Sequence, residues 1–180
     1  MNVLLRVLRL LSMVVWVGGL IFFAFVLAPV AFSVLPSTHD AGTVVGATLR
    51  VLNMMAPYCG FVFILATLAV QYRRMPRSRL LTTQMLLVWL MLGATMYVRT
   101  SIVPAMERDR IAAGGDIDAA APGTPARIDF ERLHAISEKV EGAALFLGLG
   151  VVILMGMERQ PTADPSAPPA VPVPGASSTG

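Results

Sequence analysis

The sequence has few of the groups that a soluble protein presents to water: 14% of its 180 residues are charged, against 56% hydrophobic. A soluble domain of that composition would leave its core uncovered, so lipid is the solvent this chain calls for. Cysteine is scarce as well. Cys59 stands alone, which excludes an internal disulfide and any CxxC metal or redox motif. Because it lies within an apolar run, where the reactive thiolate is disfavoured, Cys59 reads as a small packing residue. Histidine is limited to His39 and His134. There is no nucleophile with an adjacent base, no phosphate loop and no cofactor signature, so neither an enzyme activity nor a cofactor or resident metal is expected.

Two compositional hints lead nowhere further. The 11 methionines could suggest Cu(I), for which thioether sulfur is a soft ligand. They are scattered from Met13 to Met157 without a Met-x-x-Met or Met/His cluster, the pattern of residues that fill gaps between helices. The net charge of +3 and the isoelectric point near 9.6 could suggest nucleic acid. The arginines, however, follow the boundaries of the apolar runs and form no patch interleaved with aromatics, so the expected partner is the bilayer.

What the chain does have is long uncharged runs: Leu10 to Thr38, Val51 to Tyr72, Leu80 to Val98 and Gly142 to Met157, of 29, 22, 19 and 16 residues. A helix rising about 1.5 Å per residue needs about 20 residues to cross a hydrocarbon core of roughly 30 Å. Three runs suffice and the fourth falls short. The pattern predicts an all-α, four-span transmembrane bundle over residues 1–158, with spans at about 8–30, 52–72, 80–101 and 134–157. The first apolar stretch outlasts a signal-peptide core of about 7–15 residues, so it is expected to be a retained span.

The connection between the second and third spans, "RRMPRSR", contains Arg73, Arg74, Arg77 and Arg79 and no acid, which predicts a cytoplasmic turn. Arg6 and Arg9 fall on the same side. Both termini are then cytoplasmic, in a cell inner (plasma) membrane. Six of the 13 prolines lie in the last 20 residues, so residues 159–180 are expected to be a disordered tail. The outer stretch "AAGGDIDAAAPGTPA" is read as a flexible loop from its glycine and proline content. The stretch "DAGTVVGATLRVLNMM" is either a short interfacial helix or an outward extension of the second span as far as a kink at Pro57.

Small residues let helix backbones approach closely in lipid. Gly18 and Gly19, with Trp16 and Pro29, mark an expected packing face on the first span, and Gly42, Gly46 and Gly148 are expected in the same role. The fourth span raises a different question, because its apolar run is too short and an ionisable stretch precedes it. His134, Ser137, Glu138 and Glu141 fall on one face of a helix at 100° per residue. Acids near a bilayer usually face the bundle and find partners. Arg99 and Arg50, at the outer ends of the third and second spans, are the expected partners of Glu138 and Glu141, completing a candidate polar site. Asp129 is placed as the N-cap of this helix.

The segments "WVGGLIFFAFVLAPVAFSVLP" and "AGTVVGATL", Arg99 with Pro104, and "FERLHAIS" together resemble the transmembrane protein 205-like family over residues 10–157. The resemblance implies a small four-span membrane protein whose bacterial-type members have no established molecular activity, and it rests on Trp16, Gly19, Pro29, Gly42, Gly46, Arg99, His134 and Ser137. The chain departs from it at Glu141, where many members carry asparagine. If that position bonds another helix, an acid there would need an arginine partner or a proton. The Trp-x-Gly-Gly of the first span is also similar to that of the copper-resistance D type of membrane domain, but histidines at several span ends are missing. The function expected is that of a non-enzymatic structural, interaction or small permeation module, with self-association or a membrane-protein partner. The alternative is a cation- or proton-handling protein that uses the His134, Glu138 and Glu141 face.

Overall fold

A computed structural model describes residues 3–72 and 78–158. The arginines at 73, 74 and 77 and the proline-rich tail 159–180 lie outside the described residues. Among those described, the chain is all helical: α1 (Val3–Phe22), a π turn (Phe23–Leu27), α2 (Ala28–Val34), α3 (Thr38–Tyr72), α4 (Arg79–Tyr97), a second π turn (Val98–Ile102), α5 (Val103–Ala112) and α6 (Pro125–Gly156). Continuous stacking makes four spans, Val3–Val34, Thr38–Tyr72, Arg79–Ala112 and Pro125–Gly156, each long and apolar enough to cross a membrane. The protein is a multi-pass four-helix membrane bundle.

All four spans are longer than their uncharged runs. Leu35, held extended before Pro36, ends α2. Ser37 then starts α3, its hydroxyl accepting from the Asp40 N–H at 3.1 Å, a side-chain N-cap. The segment from Thr38 onward is therefore an outward extension of the second span, and Pro57 sits inside the helix. Thr124, extended before Pro125 at the first helical position, starts α6. Asp129 is not the N-cap; it lies in the second turn. The fourth span, as expected, reaches its length by taking in charged residues ahead of its uncharged run. Counting about 20 residues back from Gly156 to cross the hydrocarbon reaches Ser137, and the same count from Tyr72 reaches Asn53. Glu141 thus lies within its span, at the depth of Asn53.

The two π turns have one cause. Pro29 and Pro104 stand six residues after Phe23 and Val98. A proline offers no N–H to the carbonyl four residues back, and its ring crowds that carbonyl; here those carbonyls are Phe25 and Thr100, inside the widened turns. The ladder closes through longer bonds, the Ala28 N–H donating to the Phe23 carbonyl and the Val103 N–H to the Val98 carbonyl.

These turns divide the bundle into two halves. On the side of the chain termini the helices pack closely around Met13, Trp16, Val17, Ala56, Phe63, Val88, Met91 and Val151, with Cys59 against this core. Gly148 lies so near α1 and α4 that a Cβ would stand 2.6 Å from Val17 Cγ2 and 3.0 Å from Met91 Cε. Gly19 faces Leu52 at 3.0 Å and Gly60 faces Leu92 at 2.8 Å. Other glycines behave differently from expectation. A Cβ on Gly18, Gly42 or Gly46 would meet nothing within 4 Å, so these three are not helix contacts, and Pro29 is exposed.

Beyond this core, at the terminal end of the bundle, Arg9 is 1% exposed. Its guanidinium grips Glu158 as a fork, Nη1 donating to Oε2 at 3.1 Å and Nη2 to Oε1, and Nη2 also donates to Gln84 Oε1. Gln84 Nε2 closes the triangle by donating to Glu158 Oε1 at 3.1 Å. Phe63 offers its ring face at 5.3 Å. One cation thereby ties α1 to α4, to α3 and to the residue that follows α6.

Two outcomes check this packing by thermal unfolding in detergent. Gly148→Ala destabilises by about 1–3 kcal/mol, the usual cost of overfilling a packed core, whereas Gly46→Ala is neutral or stabilises by up to about 1 kcal/mol, because the methyl enters open space on a helix. Glu158→Leu, which leaves Arg9 buried and uncompensated, costs about 3–5 kcal/mol, and adding Arg9→Met restores most of that loss.

Candidate functional site

Past the π turns the four spans part and leave a cavity of about 490 Å³, within the range of roughly 300–1,000 Å³ common to small-molecule sites. Its apolar walls are Phe23 and Phe32 from the first span, Val45 and Leu49 from α3, Val103 and Met106 from α5, and Phe130 from α6. Gly42 and Gly46 line it too, and their missing side chains are part of its volume. The loop between α5 and α6 closes over one side: Ile117, 9% exposed, and Asp118 reach the lining. Arg127 holds this loop, Nη1 donating to the Ala120 carbonyl at 2.9 Å and to the Asp118 carbonyl at 3.4 Å. Glycines at positive φ, Gly114, Gly115 and Gly123, let the loop fold back, a conformation L residues rarely adopt. The stretch expected to be flexible has a defined course.

Most rim charges are already paired. Arg50 meets Glu107 at 3.2 Å, Arg127 meets Glu131 at 3.0 Å, and His39 lies 3.3 Å from Asp116. Arg110 lies 5.8 Å from the Phe130 ring, and Phe130 stacks on His134 at 6.3 Å. These are exposed or half-exposed pairs of modest worth, about 0–1 kcal/mol each, so they shape the mouth more than they hold the fold.

Of the residues expected to form a polar site, His134, Ser137, Glu138, Glu141 and Arg50 all line this cavity, while Arg99 does not. They do not pair as expected. Glu138 lies 3.2 Å from His134 on its own helix, both well exposed. Arg50 is engaged by Glu107. Glu141 receives a hydrogen bond from Asn53 Nδ2 at 3.0 Å, and among the described residues no arginine pairs with it. The expected Arg50 or Arg99 partnership is therefore corrected: an amide on α3 takes that place, at the same depth. Ser137, one turn before Glu141, is 6% exposed. Among the described residues no three His, Cys, Asp or Glu side chains gather as a metal site would require.

The sequence reading missed Asn53, Arg110, Arg127 and Phe130 at this site, and the Arg9, Gln84 and Glu158 triangle at the other end. Asn53 carried a usable signal, being a carboxamide within an apolar run, where polar groups seek partners on other helices. Arg127 carried none, because its role depends on a loop that turns back on itself.

The sequence model of a domain of unknown function, DUF4149, matches residues 11–110, from the third turn of α1 to the last turn of α5. No curated protein and no solved structure matches the chain. The matched region supplies the walls of the cavity other than α6 and the loop before it. With more than half of its length matched, this four-span membrane protein belongs to the DUF4149 family of domains of unknown function.

Proposed function

We propose that the protein is a non-enzymatic binding module of the cell inner (plasma) membrane, with both termini cytoplasmic and its cavity opening outward to receive a small amphiphilic molecule. The observation that carries this reading is the cavity itself: apolar and aromatic walls at the edge of the membrane-crossing segments, beneath a rim of paired charges. Such a lining matches a ligand with an apolar body and a polar end. The opposite end is plugged by buried Arg9 with Glu158 and Gln84, which favours binding from one side over an open path across the membrane.

The orientation rests on the arginines at 73, 74, 77 and 79 and on the mixed charge of the opposite loop. The likeness of "WVGGLIFFAFVLAPVAF" and "FERLHAIS" to the transmembrane protein 205-like family agrees with a small four-span module. In this reading the partners are the bilayer and a second membrane protein or a copy of the chain, and nucleic acid has no part. Metal- or proton-handling by His134 with Glu138 is less favoured, since the two satisfy each other at an exposed rim.

Two measurements test this. In phosphatidylcholine nanodiscs the neutral dye N-phenyl-1-naphthylamine is expected to bind above the level of empty discs, and Gly46→Leu, whose Cβ meets nothing within 4 Å and whose side chain enters the cavity, to remove that excess while leaving the unfolding temperature unchanged or higher. Equal dye uptake by the variant would reject the cavity as a binding site. In a Cys59→Ser background, a cysteine at Ala119 should react with an impermeant maleimide in intact cells and one at Ser78 only after permeabilisation; the reverse pattern would invert the orientation.

A further inference from the structure

The cavity holds one carboxylate whose surroundings differ from the rest. Glu107, Glu131 and Glu138 each have a basic side chain within 3.2 Å, and Asp118, on the loop, is exposed to water. Glu141 lies deeper, inside the span, where its partner is the neutral carboxamide of Asn53 at 3.0 Å. One amide N–H satisfies one lone pair of a group that offers about four acceptor sites. A carboxylate removed from water normally requires a countercharge or several donors. The lining nearest in sequence adds the Ser137 hydroxyl but no cation. The arginines that do line the cavity are engaged elsewhere: Arg50 by Glu107, Arg127 by Glu131 and the loop carbonyls, and Arg110 against the Phe130 face.

The other walls of the cavity are aromatic and aliphatic. Phe23 and Phe32 of the first span line the same space as Glu141, while Phe130, stacked on His134 and faced by Arg110, stands nearer the mouth. Aromatic faces attract cations whose charge is spread over carbon-bearing groups, because the ring quadrupole is negative at its face and such ions are cheap to desolvate. Compact, strongly hydrated metal ions are poorly served here, since one carboxylate, one amide and one hydroxyl fall short of the six to eight oxygens that a calcium ion takes.

We propose that the cavity binds a lipophilic organic cation, an ammonium carried on an apolar body, with Glu141 as its counterion and the phenylalanines as its walls. The proposal rests on the reading of the cavity as a binding site and adds the charge and class of its ligand. Asn53 is a positioning residue: its Nδ2 fixes one carboxylate oxygen and leaves the other to the ligand. Binding needs no covalent step, and the ammonium replaces water in the cavity.

The test compares two ligands of the same shape, benzyltrimethylammonium and its uncharged isostere neopentylbenzene, as displacers of N-phenyl-1-naphthylamine from the protein in phosphatidylcholine nanodiscs. Glu141→Gln keeps an acceptor for Asn53 and removes only the charge. The variant is expected to raise the concentration of benzyltrimethylammonium needed for half-displacement about tenfold or more, the weight of one close charge pair without a hydrogen bond, while neopentylbenzene is unaffected. A second, mutation-free measurement guards against a folding defect: benzyltrimethylammonium should raise the unfolding temperature of the unmodified protein, and the anion phenylacetate should not. If neopentylbenzene displaces the dye but the cation neither displaces it nor stabilises the protein, or if Glu141→Gln leaves displacement by the cation unchanged, the assignment of a cationic ligand fails and the cavity reading survives. If the dye does not bind above the level of empty discs, the cavity reading fails and takes this proposal with it.

Discussion

A guanidinium buried between two helix starts and a helix end fixes the geometry on which the rest of this bundle depends. In lipid, apolar side chains gain little by leaving an equally apolar solvent, so helix association rests on close packing and on polar contacts between spans. Arg9 supplies the polar contact, reaching Glu158 beyond α6 and Gln84 in α4 while Phe63 of α3 covers it. Gly148, Gly19 and Gly60 supply the packing, each giving up a Cβ so that a facing Val, Leu or Met can approach. Both devices lie on the terminal side of the π turns, which makes that half of the bundle the closed half.

The other half is open for a reason written in two prolines. Pro29 and Pro104 each force the turn before them to widen, and beyond those turns α2 and α5 leave space between the spans. Gly42 and Gly46 then contribute by absence. Where Gly148 faces a side chain, these two face open volume, so the same residue type serves packing at one depth and emptiness at another. The loop between α5 and α6, pinned by Arg127, roofs part of that volume and leaves a mouth edged with compensated charge.

The architecture was legible because it follows from length and polarity alone: uncharged runs predicted four spans, and the structure has four. Their ends were not, since Ser37 and the Thr124–Pro125 pair start helices well outside the apolar runs, where a hydrophobicity argument has nothing to count. The face formed by His134, Ser137, Glu138 and Glu141 was readable from helical spacing and does line one cavity. Its partners were not, because pairing depends on relative helix rotation. Charge matching suggested an arginine for Glu141, whereas the rotation of α3 presents Asn53, and Arg50 turns to Glu107 instead. Arg9 was misjudged in another way. Its place near a terminus suggested a topological charge, and only the meeting of three helix ends reveals it as buried.

The chain treats the buried Arg9 and the half-buried Glu141 oppositely, and the contrast bears on what each end is for. Arg9 has a full countercharge, a carboxamide and an aromatic face, with its Nε alone left without a hydrogen-bond partner, so most of its desolvation is offset inside the protein and the contact can serve as a permanent lock. Glu141 has one amide hydrogen bond, a contact worth about 1.5–3 kcal/mol when the acceptor is charged, against a desolvation cost of several kcal/mol per ion. The fold alone therefore does not complete its environment. Asparagine at this position would be satisfied by Asn53 without any charge to neutralise. The acid is the costlier choice for stability, and its position in the open half, on the wall of a cavity, is where something other than the protein can supply the missing countercharge.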